Sequence, residues 1–358
     1  MTSATKGMVG GGYYDAHSTF QAKVAASGAA LLEQAVQAVR LPADGHVAVA
    51  DYGCGEGRNS MATVQSVLGL LAPRLKIDPV VIHNDLPTND WAGLAANLSG
   101  PESYLHQFPE VRALFAPSGF FERVTMASSI TIGTSGSAAH WLSQQPGGLD
   151  MPRSLYRSDA PPAECTKILN QAATDWEAFL AARADELQPG GVLLVQMLGS
   201  DGNEDPIRVS AAGLLKLMNE CALKLVDGGE IPRDAYAAYC FPAVPRTVEE
   251  ATAPVTGALA DRLELLHCGL TNVPSPYQQA LEKTGDVEAF AKHYTAFTRA
   301  FSESSLTRGV FAFGKGDPAK LADRFYALME SALAAKPDDY PFDDLTLAVL
   351  VRRREGAP

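Results

Sequence analysis

A short apolar run, His46-Val47-Ala48-Val49-Ala50, passes without a break into Asp51-Tyr52-Gly53-Cys54-Gly55-Glu56-Gly57. A helix-forming stretch follows, from Arg58 to about Leu71. Glycines between a strand and a helix let the backbone approach a ligand at the helix N-terminus. The next strand, Pro79-Val80-Val81-Ile82-His83, ends on Asn84-Asp85-Leu86-Pro87. Strand, glycine turn, helix and strand make a βαβ unit, which commits the chain to an α/β fold. Further strands are expected at Ser129 to Gly133, Gly191 to Met197, Arg262 to Cys268 and Leu345 to Val351. Pro189-Gly190-Gly191 turns the chain into a central, doubly buried strand.

Around this unit the chain divides into an expected flexible arm over 1–20 and a single domain over 21–358. A helical pattern runs from Ser18 to Arg40 and breaks at Leu41-Pro42-Ala43-Asp44-Gly45. Long helical stretches (Pro146 to Leu187, Asp205 to Val226, Pro276 to Lys336) exceed what a minimal doubly wound domain needs. They are expected to form a helical cap, with insertions at about 146–187, 205–257 and 275–336.

The glycine turn does not suit a dinucleotide. In G-x-G-x-x-G, Gly53 and Gly55 fit, but Arg58 takes the third glycine's place and Asp51 would face a pyrophosphate with the wrong charge. A nicotinamide-dependent oxidoreductase is therefore a remote alternative. The pattern D-x-G-x-G-x-G instead resembles motif I of class I methyltransferases, whose ligand S-adenosylmethionine has no phosphate and carries ammonium and sulfonium cations. Asp85, closing the second strand, can accept hydrogen bonds from both ribose hydroxyls.

Other classes find little support. A net charge of −12, from 29 Lys+Arg against 41 Asp+Glu, gives no basic footprint for nucleic acid. The five cysteines are scattered without a CxxC pair, which suits reduced thiols and a cytoplasmic location. No secretory signal, membrane span, metal-ligand spacing or G-x-S-x-G nucleophile motif is evident.

Motifs along nearly the whole chain resemble the SABATH methyltransferases, which methylate small carboxylates and, in some branches, xanthine nitrogens. Lys6-Gly7 … Tyr14 … Ser18-Thr19-Phe20-Gln21 is similar to K-G-G … S-Y-A-x-N-S-x-x-Q. Ala50-Asp51-Tyr52-Gly53-Cys54 … Asn59 is similar to A-D-L-G-C-S-S-G-P-N, and Asn84-Asp85-Leu86-Pro87-Thr88-Asn89-Asp90 to N-D-L-P-G-N-D. Trp141-Leu142-Ser143-Gln144-Gln145-Pro146 matches W-L-S-Q-V-P, Pro189-Gly190-Gly191 matches P-G-G, and Arg299 to Glu303 with Phe313-Gly314 matches R-A-x-x-E … F-G. Departures are Tyr13, Asp15 and His17 in the arm, Gly55-Glu56 for a Ser-Ser pair, Ser118-Gly119-Phe120-Phe121 for G-S-F-Y, and Ser137 for a pocket tyrosine.

The resemblance implies a Rossmann-like class I sheet, mostly parallel with one antiparallel C-terminal strand, and a homodimer. It implies that Ser18, Tyr14, Asp51, Gly53, Asn59, Asp85, Leu86, Gly119 and Phe120 hold S-adenosylmethionine. Asp51 and Asn59 would take the methionine end, Asp85 the ribose, and Leu86 and Phe120 the adenine; Tyr14 would lid the sulfonium. Gln21 and Trp141, with His140 as a third candidate, would hold an acceptor carboxylate. A carboxylic acid is already ionised at neutral pH, so methyl transfer by in-line displacement needs no general base. Orientation can then supply up to about 7–11 kcal/mol of the barrier. Neutral donors suit this better than an arginine, which would over-stabilise the ground state.

The expected activity is O-methylation of a small, mostly apolar aromatic, indolic or isoprenoid acid. N-methylation of a heteroaromatic ring is the close alternative; a non-catalytic relative is a further one. Acceptor walls are expected around Met151 to Tyr156, Ile207 to Leu217, Tyr236 to Phe241 and Phe297 to Phe311.

Overall fold

The computed structural model describes residues 7–42, 46–157, 160–202 and 209–356; Lys6, Ile207 and the turn residues 43–45 lie outside them. Seven strands form one sheet: β1 (Val47–Tyr52), β2 (Pro79–Asp85), β3 (Arg112–Pro117), β4 (Ile130–Gly136), β5 (Leu187–Leu198), β6 (Leu263–Pro274) and β7 (Asp343–Arg353). Their order is β3-β2-β1-β4-β5-β7-β6. Neighbours from β3 to β5 are parallel, and β7 runs antiparallel to both β5 and β6. This is the expected doubly wound sheet with its reversed C-terminal strand. The order reverses between β1 and β4, so a ligand crevice opens at their carboxyl ends.

The helices are α1 (Tyr13–His17), α2 (Thr19–Ser27), α3 (Ala29–Ala38), α4 (Arg58–Leu71), α5 (Trp91–Ser99) and α6 (Pro162–Glu186) in the first half. The second half adds α7 (Ala212–Asp227), α8 (Arg233–Ala237), α9 (Val248–Thr256), α10 (Pro276–Thr284), α11 (Val287–Arg308) and α12 (Pro318–Ala335). None among the described residues is long and apolar enough to cross a membrane.

Successive strand residues serve opposite faces. Val47 and Val49 of β1 and Val192 and Leu194 of β5 pack with α3 and α4. Ala48, Ala50, Tyr52, Leu193 and Val195 pack with α6 and α9. Helix α6 carries one apolar stripe, Ile168, Ala172, Trp176, Phe179, Leu180 and Ala184, spaced to cover a single face. That stripe corrects the cap expectation over 146–187: most of it lies on the sheet. Helix α9 does the same at the end of the 205–257 segment. The cap core is formed instead by α7, α11 and α12, joined by Phe20 and Val24 of α2 and by Phe342. These helices emerge at the carboxyl ends of β5 and β6, the side on which the crevice opens.

Two local expectations also change. The helical pattern from Ser18 to Arg40 breaks at Gly28, where a Cβ would come 2.6 Å from the Gln196 amide oxygen. Strand β3 has no alternating pattern to reveal it, because it is an edge strand and leaves Leu114 and Phe115 51% and 42% exposed.

One buried ion pair fixes the far wall of the crevice. Arg183 of α6 donates to Glu186 at 2.8 Å and to the carbonyls of Phe120 and Glu122 at 2.7 and 2.9 Å, with both charged side chains fully buried. Glu186 also accepts from the Tyr52 hydroxyl at 2.6 Å. Replacing one member leaves an uncompensated buried charge. Arg183→Met is therefore expected to lower unfolding free energy by about 3–5 kcal/mol, measurable by urea titration.

Candidate active site

The glycine turn is shaped by close contacts. Gly53 has φ 90°, and a Cβ there would sit 2.4 Å from Ala138; Gly57 has φ 105°, and a Cβ would meet Leu94 at 2.4 Å. Larger residues would be strained in backbone and blocked in space. The motif after β2 then locks this turn. The Asn84 carbonyl accepts from the Gly53 and Cys54 N–H groups at 2.8 and 3.0 Å. Its side-chain amide donates to Ala116 and Ser118 at 2.8 and 2.7 Å. Asn89 donates to the Gly55 carbonyl at 2.8 Å, and Asp90 caps α5 through Gly93 N–H.

Three cavities meet here. The first, about 380 Å³, is lined by Gly53, Gly55, Asp85, Leu86, Gly119, Phe120 and Trp141, among others. A narrow one of about 40 Å³ is lined by Asp51, Asn59, Gly53 and Gln21. The third, about 70 Å³, is an apolar chamber carrying Gln21, His140 and Trp141. Tyr14 and Ser137 border all three. A larger groove of about 510 Å³ between α2, α3 and α4 is walled mainly by small side chains and lacks this chemistry.

The electrostatics are one-sided. Asp51 is buried and accepts from the Thr134 hydroxyl at 2.7 Å. Asp85 accepts from the Gly55 and Leu86 N–H groups, each at 2.7 Å. Burial holds the Asp51 carboxyl above its ordinary range. It pushes Asp85 up to about 6, with the neighbouring Asp51 adding to the rise. Among the described residues, no lysine or arginine lines any of the three cavities. Two carboxylates without a counter-cation favour a cationic ligand and disfavour a pyrophosphate.

The N-terminal arm closes over this site through contacts that the sequence did not reveal. Glu56, the departure in the glycine turn, accepts from Gly12 N–H at 2.6 Å and Asp15 N–H at 3.1 Å. Asp90 accepts from Gly11 N–H at 2.8 Å, and Asn97 donates to Asp15 at 2.5 Å and to the Glu56 carbonyl at 2.8 Å. Val9 N–H bonds the Ala300 carbonyl of α11 at 3.1 Å. The described part of the arm is thus hydrogen-bonded to the glycine turn and α5, with Tyr13 to His17 helical. Burial, with Asp15, Asp85 and Glu56 nearby, raises the Tyr14 hydroxyl pKa and keeps it neutral.

Of the expected cofactor residues, Tyr14, Asp51, Gly53, Asn59, Asp85, Leu86, Gly119 and Phe120 line the cavities. Ser18 lines none of the three; it is buried and its hydroxyl accepts from the Asn59 amide at 3.1 Å, one layer behind. Gln21, His140 and Trp141 all border the apolar chamber. The His140 Nδ1 accepts from Leu198 N–H at 3.4 Å, which leaves Nε2 as the protonated nitrogen. Burial, with Arg246 close by, pushes its pKa down to about 3, so the ring is a neutral donor. Of the expected acceptor walls, Ala211, Leu214, Leu215, Phe241, Phe297 and Phe301 line the chamber; Met151 to Tyr156 do not. Met151, Leu155 and Tyr156 are packed into neighbouring cores instead. Met8, Phe342 and Asp344 line the chamber without having been expected. The described residues hold no group of three or more potential metal ligands.

A doubly wound sheet with two buried carboxyls beside its first glycine turn fits a class I S-adenosylmethionine-dependent methyltransferase. A family model described as SAM dependent carboxyl methyltransferase matches residues 3–353. The chain belongs to that family, the SABATH methyltransferases. Probable caffeine synthase 5 of Camellia sinensis is 26% identical over 343 residues, covering 90% of this chain and 91% of its own. The 7-methylxanthine methyltransferase of Camellia ptilophylla matches to the same extent, 26% over 343 residues. In fold, the chain resembles a solved structure of loganic acid methyltransferase with SAH, at TM-score 0.78 and 22% identity, over 98% of this chain and 99% of that one.

Two outcomes are expected. Bound cation favours ionised Asp85, so the complex carries fewer protons and affinity for S-adenosylmethionine rises with pH through about 6, then levels off. Asp85→Asn should weaken binding by about 1.5–3 kcal/mol and flatten that rise, read by calorimetry between pH 5 and 7.5. Separately, Glu56→Gln removes the charge that holds the arm. Donor dissociation should then quicken in stopped-flow, with the fold unchanged by circular dichroism.

Proposed function

We propose that the protein is a carboxyl O-methyltransferase, converting a small, mostly apolar acid to its methyl ester. The observation that carries the reading is the polar set of the acceptor chamber. It consists mainly of neutral donors next to the donor-side cavities, with no lysine or arginine among the described residues. Gln21 supports it further: its Oε1 is buried without a hydrogen-bond partner, and a half-turn of the amide presents Nε2 at the same place. A ligand carboxylate would satisfy that amide, the Trp141 indole N–H and the His140 Nε2–H together.

Asp51 and Asn59 would hold the methionine end of S-adenosylmethionine, Asp85 the ribose, and Leu86 and Phe120 the adenine. When bound, the cofactor supplies an electrophilic methyl carbon on a sulfonium. The chain's own residues have three tasks. Gln21, Trp141 and His140 orient one carboxylate oxygen, using neutral hydrogen bonds that leave it nucleophilic. Tyr14 and the clamped arm exclude water. Phe20, Phe241, Phe297 and Phe342 give the acceptor's body an apolar berth. No general base is needed, and His140, neutral above about pH 3, introduces no acid limb in the physiological range.

A second reading, methylation of a heteroaromatic ring nitrogen, is favoured by the likeness to a probable caffeine synthase and a 7-methylxanthine methyltransferase. Product chemistry separates the two. With a panel of aromatic, indolic and isoprenoid acids and radiolabelled methyl donor, label is expected in base-labile esters. Gln21→Ala should reduce kcat/KM by about 10²-fold while leaving S-adenosylhomocysteine binding intact. Label found solely in base-stable products of nitrogen heterocycles would sink the carboxyl reading.

A further inference from the structure

Among the described residues, the acceptor chamber holds one ionisable acid, Asp344, at the start of β7. It is 7% exposed, so its carboxyl has left bulk water. The Thr346 hydroxyl donates to its Oδ1 at 2.8 Å, and the Ser210 hydroxyl is its other side-chain partner. Among the described residues no cation acts on it: burial lifts it to about 6, against the two hydroxyls, which pull it down. Most of it is therefore ionised at neutral pH. The other titratable groups on this chamber, Tyr14 and His140, are both neutral.

Position makes the charge informative. Tyr14, Gln21, Trp141 and Ser137 line both the chamber and the donor-side cavities, so they mark the end where transfer would occur. Asp344 lines the chamber alone, with Leu214, Phe297 and Phe342. A buried carboxylate in an otherwise apolar wall costs free energy unless a donor meets it. An acceptor that is purely apolar at that end would desolvate the carboxylate and leave it short of a partner. An acceptor carrying a second carboxylate there would add like-charge repulsion.

Resting on the carboxyl reading above, we propose that Asp344 is a specificity residue. It selects monocarboxylic acids bearing a hydroxyl or N–H donor on the part of the molecule remote from the reacting carboxylate, and rejects diacids.

The test uses matched pairs: 4-hydroxycinnamic against 4-methoxycinnamic acid, and indole-3-acetic against 1-methylindole-3-acetic acid, with a dicarboxylic analogue of the cinnamate as third arm. Wild type is expected to prefer the donor-bearing member of at least one pair by about tenfold or more in kcat/KM, and to leave the diacid unmethylated. Asp344→Leu should abolish or reverse the preference. Asp344→Asn, which keeps the shape, should admit the diacid. S-adenosylhomocysteine affinity, unchanged in both variants, shows that they fold. Esters formed by wild type without preference in either pair, or a preference that survives Asp344→Leu, would overturn the assignment alone. Absence of base-labile ester from every acid would overturn the carboxyl reading, and this inference with it.

Discussion

Two carboxyls taken out of water, with no cation among the described residues to balance them, set the terms for the rest of this molecule. Burying Asp51 and Asp85 costs free energy, visible as the upward displacement of both groups. The fold offsets part of that cost with hydrogen bonds from Thr134, Gly55 and Leu86. What is left unbalanced is an appetite for positive charge. The glycine turn, the Asn84 brace and the Arg183–Glu186 pair all serve to keep that crevice in shape.

The same economy of charge extends to the acceptor side. There the chamber meets the crevice through the neutral side chains of Gln21, Trp141, His140 and Tyr14. His140 is kept uncharged by burial and by the buried Arg246, which itself donates to the Ala139 and Ala172 carbonyls at 3.0 and 2.9 Å and so steadies the His140-Trp141 loop.

How much was legible in the sequence follows from what kind of pattern each part leaves. The βαβ unit and α4 were readable because a buried strand, a glycine turn and an amphipathic helix each write their geometry locally. Every polar residue of Asn84 to Asp90 that the motif singled out has a structural task, apart from Thr88. Strand β3 was not readable, since an edge strand has no buried face to impose alternation. Helix α6 was misassigned to the cap because its apolar stripe names no partner; only tertiary contacts tell sheet from cap. The arm's anchors, Glu56, Asp90 and Asn97, lie 41 to 82 residues from the groups they bind, and no local spacing announces such pairings. Asp344 was hidden for the same reason, at the head of a strand chosen by its apolar run.

Proton release on binding tests the central claim most directly. Calorimetric titration of the protein with S-adenosylmethionine at pH 6, in buffers of different ionisation enthalpy, reads the protons displaced. With Asp85 near half-protonated when free and ionised when bound, about half a proton should leave per site. Proton uptake, or binding with no proton exchange, would contradict a crevice built from unbalanced carboxylates.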